Sequence, residues 1–78
     1  MHPLKDKYVV AMCANYIYGG TLEDITIDKV VLREPSIIYE TGPWDAKAWK
    51  DAQKLPTDRL YLERSAVESF FELKRGSR

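Results

Sequence analysis

Short apolar and β-branched runs, each broken by turn residues, set the pattern of this chain. Residues 8–14 (Tyr-Val-Val-Ala-Met-Cys-Ala) are too few for an independent helix and predict a strand. Asn15 marks a turn. Residues 16–25 carry Ile17, Tyr18, Thr21, Leu22 and Ile25 and predict a second strand. Gly19 and Gly20 fall inside it. Paired glycines weaken a strand unless it bends sharply or another backbone comes close, as when a short sheet curls towards a barrel. Thr26, Ile27, Asp28 and Lys29 form a polar connection. Residues 30–33 predict the third strand. Pro35 and Ser36 interrupt it, because proline cannot donate to a ladder and so marks a bulge, a kink or an edge. Residues 37–40 resume the extended run.

Thr41, Gly42 and Pro43 punctuate the chain. Trp44, Ala48, Ala52 and Leu55 then recur near helical spacing, with Lys47 and Asp51 four apart on the other side, which predicts a short helix over residues 44–54 ended by Pro56. Trp44 and Trp49 are expected to pack this insert onto the barrel. Residues 59–63 predict the fourth strand and residues 64–67 a tight turn. Ser69, Phe71 and Leu73 alternate with Glu68, Phe70, Glu72 and Lys74, which predicts a half-buried fifth strand. Residues 1–7 form an N-terminal segment and residues 75–78 a basic, flexible tail. The expected fold is all-β: a small, strongly bent five-stranded barrel with a helical insert between strands 3 and 4, in one domain over residues 1–78.

Size adds a constraint. At 78 residues the chain buries only about 60% of its unfolded surface and is marginal alone. With one cysteine, Cys13, and one histidine, His2, it has neither an internal disulfide nor a zinc site to support it, so no cofactor or metal is expected. Self-association is the support that remains. Twelve basic and twelve acidic residues balance to zero formal charge, which argues against a binder held by a broad basic field and leaves association unopposed. No apolar run approaches a membrane span, and the N-terminal residues lack a secretory pattern. A lone cysteine in an apolar strand suits a reducing compartment, so the expectation is cytoplasmic. Cys13 reads as a packing residue, with no histidine placed to activate it. Glu23, Asp24 and Asp28 read as a solvated turn rather than an acid–base pair, so no enzyme is expected.

Residues 20–32 (Gly-Thr-Leu-Glu-Asp-Ile-Thr-Ile-Asp-Lys-Val-Val-Leu) resemble the first motif of the Sm-like (LSm) family, including its bacterial Hfq branch: a glycine, one residue, an aliphatic, a polar turn, then an aliphatic strand ending in leucine. Residues 60–70 (Leu-Tyr-Leu-Glu-Arg-Ser-Ala-Val-Glu-Ser-Phe) resemble the second, with Arg64 where bacterial members carry lysine and Ser65 where they carry histidine. The resemblance covers about two thirds of the chain. It departs in the short N-terminal segment and in the long region bearing the tryptophans.

The resemblance implies that the fourth strand of one copy pairs with the fifth of the next, closing a ring of five to seven copies. Leu60, Tyr61, Leu62, Phe70 and Phe71 would then divide between core and interface. It also implies single-stranded RNA, uridine-rich by family analogy, held at the pore by Thr26, Ile27, Asp28 and Lys29 from one loop and Arg64 and Ser65 from the other. The first loop departs from the pattern: related RNA binders place an aromatic or long apolar side chain there for stacking, and this chain has Ile27 and Asp28 with no aromatic. The competing reading is a ring that serves as a structural or protein-interaction platform without nucleic acid, with the Trp44 and Trp49 insert docking a protein partner. Neither reading involves a membrane.

Overall fold

The computed structural model describes residues 3–44 and 48–74. Six strands run in chain order: β1 (Tyr8–Cys13), β2 (Ile17–Ile25), β3 (Lys29–Glu40), β4 (Asp51–Lys54), β5 (Arg59–Glu63) and β6 (Val67–Glu72), with a single 3₁₀ turn, Arg64–Ala66, between the last two. They form one antiparallel sheet in the order β4-β3-β2-β1-β6, with β5 also paired to β3. The sheet does not close into a barrel.

β3 has two partners because it is twelve residues long. Its first half pairs with β5, from Lys29↔Glu63 to Arg33↔Arg59. Its second half pairs with β4, from Ser36↔Lys54 to Glu40↔Asp51. β4 and β5 are therefore two lengths of one interrupted strand, and the sheet has five positions. The break, residues 55–58, contains Pro56 and faces the irregular stretch of β3. There Glu34 adopts φ 46°, a left-handed conformation uncommon outside glycine. The corner is held from both sides: Glu34 N–H donates to the Asp58 carbonyl and Leu55 N–H to the Pro35 carbonyl, each at 2.9 Å. Pro35, which cannot donate, is fully buried at the corner. On the other flank of β3 the register jumps from Gly19↔Ser36 to Thr21↔Arg33. A Cβ on Gly20 would stand 3.0 Å from the Arg33 carbonyl oxygen and 3.1 Å from Leu32 Cβ, so the close approach expected at the paired glycines is present.

The sheet is covered on both faces. Val9, Val10 and Ala11 of β1 are all fully buried, although successive strand residues point to opposite faces. Val9 and Ala11 join Leu22, Val30, Leu32 and Leu62 in the main core, bordered by Leu60, Val67 and Phe70. Val10 belongs to the other face, opposite Gly19 and Phe71 in the two neighbouring strands. That face is roofed by Trp44 and Trp49, which lie between β3 and β4 in the chain. Trp49 Nε1 donates to the Tyr8 hydroxyl at 3.0 Å. Trp44 packs edge-on against both Trp49 and Phe71, each pair with centroids 5.8 Å apart.

The helix expected over residues 44–54 is corrected here. Asp51–Lys54 is a strand, Trp44 lies in a turn, and Ala48 and Lys50 lie at bends; residues 45–47, with Lys47 of the expected helical pair, lie outside the described residues. The helical spacing of Trp44, Ala48 and Ala52 is real, but sheet docking decides the outcome. Both tryptophans are fixed by aromatic neighbours, and the backbone of residues 51–54 bonds β3 instead of itself. Trp44 and Trp49 do pack against the strands, on Phe71 and Tyr8, although the segment that carries them is not the expected helix and the sheet beneath is not a closed barrel. The third strand also runs unbroken through Pro35, the fifth strand is Val67–Glu72, and the tail at 75–78 lies outside the described residues.

Gly19 tests the roof. A Cβ there would collide with the Tyr8 hydroxyl that receives the Trp49 bond. Gly19→Ala is expected to destabilise the fold by about 1–3 kcal/mol in urea denaturation. Adding Tyr8→Phe removes the colliding oxygen, so the double variant should be more stable than the sum of the two single changes requires.

Candidate nucleic-acid loops and open sheet borders

The two loops singled out in the sequence lie against each other. The β2–β3 loop is fixed internally. Thr26 N–H donates to the Lys29 carbonyl at 2.9 Å, Lys29 N–H donates to Thr26 Oγ1 at 3.0 Å, and that hydroxyl donates to Asp28 Oδ1 at 3.0 Å. Arg64, at the start of the 3₁₀ turn, then bonds across to it. Its N–H donates to the Asp28 carbonyl at 2.8 Å and its Nη1 to the Thr26 carbonyl at 3.1 Å. Ser65 follows on the exposed side of the same turn. Ile27 stands at the loop tip with 91% of its surface exposed, a large apolar side chain held out into water.

The cations here have intramolecular partners. Lys29 Nζ meets Glu63 Oε2 at 2.5 Å and Asp28 Oδ2 at 3.7 Å. The hydrogen bond to Glu63 is the main cause that raises the Lys29 pKa above its ordinary value. Arg64 donates to main-chain oxygen, and its side chain is otherwise exposed. An unpaired base could pack on Ile27 with a phosphate against Arg64, while Asp28 and Glu63 would oppose that phosphate.

The expected interface residues divide unequally. Leu62 is part of the main core, Leu60 and Phe70 pack against it, and Phe71 lies under Trp44. Tyr61 alone of the five is exposed. Both borders, in contrast, carry backbone groups that face away from the neighbouring strand. The bonds Arg64 N–H to Asp28 and Glu34 N–H to Asp58 lie in one register with the β3–β5 pairs. Ladder alternation then turns the peptide groups of Leu60 and Leu62 towards β3, and those of Arg59, Tyr61 and Glu63 away from it. At the other border Leu73 N–H donates to the Tyr8 carbonyl, in register with Glu72↔Val9. By the same rule Glu72 turns its peptide group away from β1. Among the described residues, β5 pairs only with β3 and β6 only with β1.

A charge chain that the sequence reading did not single out ties the β5 border to the body. Arg33 Nη2 bonds Asp6 Oδ1 at 2.7 Å, Arg33 Nε approaches Glu23 Oε1 at 3.6 Å, and Arg59 Nε bonds Glu23 Oε2 at 2.6 Å. It crosses the N-terminal segment, β2, β3 and β5. The signal was tertiary: Glu23 and Arg59 are 36 residues apart. Asp6, like Glu34, sits at positive φ, 67°. Cys13 borders the main core, and its thiol pKa is raised by burial first and by the Glu68 charge second, the opposite of activation.

Among the described residues no group of three or more His, Cys, Asp and Glu side chains could hold a metal ion, and no helix is long and apolar enough to cross a membrane. No family model, curated protein or solved structure matches the chain.

The hydrogen bond from Arg59 is the main cause that holds the Glu23 carboxyl below the ordinary carboxylate range. A carboxyl depressed in the folded state stabilises the fold at pH values above its unfolded pKa, and that contribution disappears as pH falls through the folded value. Glu23→Gln should therefore lose less stability than wild type on acidification through that window, measured by urea denaturation at stepped pH. Parallel curves for the two proteins would show that the bond contributes nothing.

Proposed function

We propose that the chain is a self-assembling protein of the Sm-like type, in which copies join edge to edge through β5 of one and β6 of the next. The observation that carries this reading is the pair of open borders. The two strands joined by one 3₁₀ turn occupy opposite limits of a five-position sheet, each with peptide groups turned outward. Unpaired edges are templates for another chain, and a chain this small gains the burial it lacks by filling them. The contact is heterologous, so it closes into a ring when the rotation per copy divides a full turn. The zero net charge leaves such packing unopposed.

Tyr61→Pro tests the assembly. It removes an outward N–H without touching the β3 ladder. Wild type should sediment as a closed oligomer and the variant as a folded monomer. A wild type that stays monomeric at high concentration would end the reading.

A second reading, single-stranded RNA at the assembled loops, is favoured by one observation: Thr26, Ile27, Asp28, Lys29, Arg64 and Ser65 converge although 36 residues separate Asp28 from Arg64. Repeated around a ring, they would present apolar tips and guanidinium groups to successive unpaired bases. Arg64→Ala should weaken binding of a short oligouridine at low salt while sedimentation of the oligomer is unchanged. Absence of wild-type binding at low salt leaves the platform reading, in which the assembly carries no nucleic acid.

A further inference from the structure

The tip of the β1–β2 hairpin is wrapped by two adjoining grooves that share Tyr16 as a wall. One runs between Tyr16 and Tyr39, over Ile17 and Ile38. The other runs between Tyr16 and Tyr18 and reaches Leu62 and the 3₁₀ turn at Ser65 and Ala66. Asn15 and Glu68 line both. Tyr16 and Tyr39 are 52% and 57% exposed, so their ring faces are available to a ligand. Tyr16 and Tyr18 stand with ring centroids 6.1 Å apart, tilted by 47°.

The charge of this surface is one-sided. No lysine or arginine lines either groove. Glu68 is the one carboxylate that does, and it is absent from the ion pairs among the described residues, whereas Glu23, Glu34, Glu40 and Glu63 each hold a basic partner. Its field also reaches the neighbouring Cys13 thiol. Aromatic faces beside an uncompensated carboxylate attract a cation, above all a planar guanidinium that stacks on the ring and bonds the carboxylate. A phosphate would meet no cation here and one repelling charge.

We propose that this tyrosine-walled surface binds the arginine side chain of a basic peptide partner, the guanidinium stacking on Tyr16 and pairing with Glu68. The site does not require assembly, since every residue in it belongs to one copy.

The experiment follows backbone amide shifts of the full chain during titration with a capped Gly-Arg-Gly-Arg-Gly peptide, and with the same peptide carrying neutral citrulline in place of arginine. The arginine peptide should shift saturably the amides of Cys13, Asn15, Tyr16 and Glu68, and the citrulline peptide should not. Glu68→Gln and Tyr16→Ala, both at exposed positions, should each weaken binding by about tenfold with the spectrum still dispersed. Tyr39→Ala provides a second aromatic variant should Tyr16→Ala perturb the hairpin. Equal binding of the citrulline peptide, shifts confined to other surfaces, or tighter binding of an oligoadenylate to the same amides would each overturn the proposal, the last by making the groove a nucleobase site.

Discussion

Burial of β1 on both faces is the constraint from which the rest of the architecture follows. A strand with Val9, Val10 and Ala11 all withdrawn from water cannot lie in a one-layer sheet with one wet side. One face is covered by the curl of the sheet itself, which brings Leu22, Leu32 and Leu62 over Val9 and Ala11. Among the described residues no second sheet or helix covers the other, and large side chains from the β3–β4 connection do so. Trp49 and Trp44 meet that need, and the Tyr8 hydroxyl accepts the indole N–H of Trp49. The roof constrains β2 in turn: the hydroxyl occupies the space above Gly19, and a Cβ there would collide with it.

The curl has its own mechanical origin. β3 can serve β5 and β4 along its two halves only if it bends between them, and the bend is placed where a proline removes a donor and Glu34 turns through positive φ. The two hydrogen bonds that straddle the corner restore the connection on either side of the missing donor. The same bend keeps β5 near the 3₁₀ turn that leads to β6, yet leaves the two strands at opposite borders. An assembly through those borders would therefore depend on the proline corner as much as on any residue in the contact.

The strand content, the paired-glycine close approach and the irregularity at Pro35 were all readable in the sequence, because each has a local cause in β propensity, glycine geometry or the missing proline donor. The tryptophan segment misled for an equally physical reason. Trp44, Ala48 and Ala52 satisfy a helical period, but residues 51–54 gain a ladder on β3 that periodicity along the chain does not reveal. The convergence of the β2–β3 loop with Arg64 was readable only through family resemblance. The Asp6–Arg33–Glu23–Arg59 chain was not readable at all, since its members come from four separate segments. Glu68 and Tyr16 drew no attention because nothing in their local sequence marks them; the groove exists only after β6 is laid beside β1.

Among the described residues, many of the charges on the sheet are neutralised locally in ion pairs, and this separates the possible ligands. Lys29, Lys50, Lys54, Arg33 and Arg59 are each held by a carboxylate of the same chain. A phosphate arriving at the β2–β3 loop must compete with Glu63 for Lys29, and it gains an undivided cation only at Arg64. Exposed ion pairs are individually weak, about 0–1 kcal/mol, so such exchange is feasible, but it yields little net attraction for each copy. Multiplying the loops around a symmetric assembly is the way this chain could accumulate affinity for a polyanion. RNA binding on this surface therefore presupposes edge-to-edge association, whereas association through β5 and β6 presupposes nothing about RNA. That asymmetry is why assembly stands first and nucleic acid second.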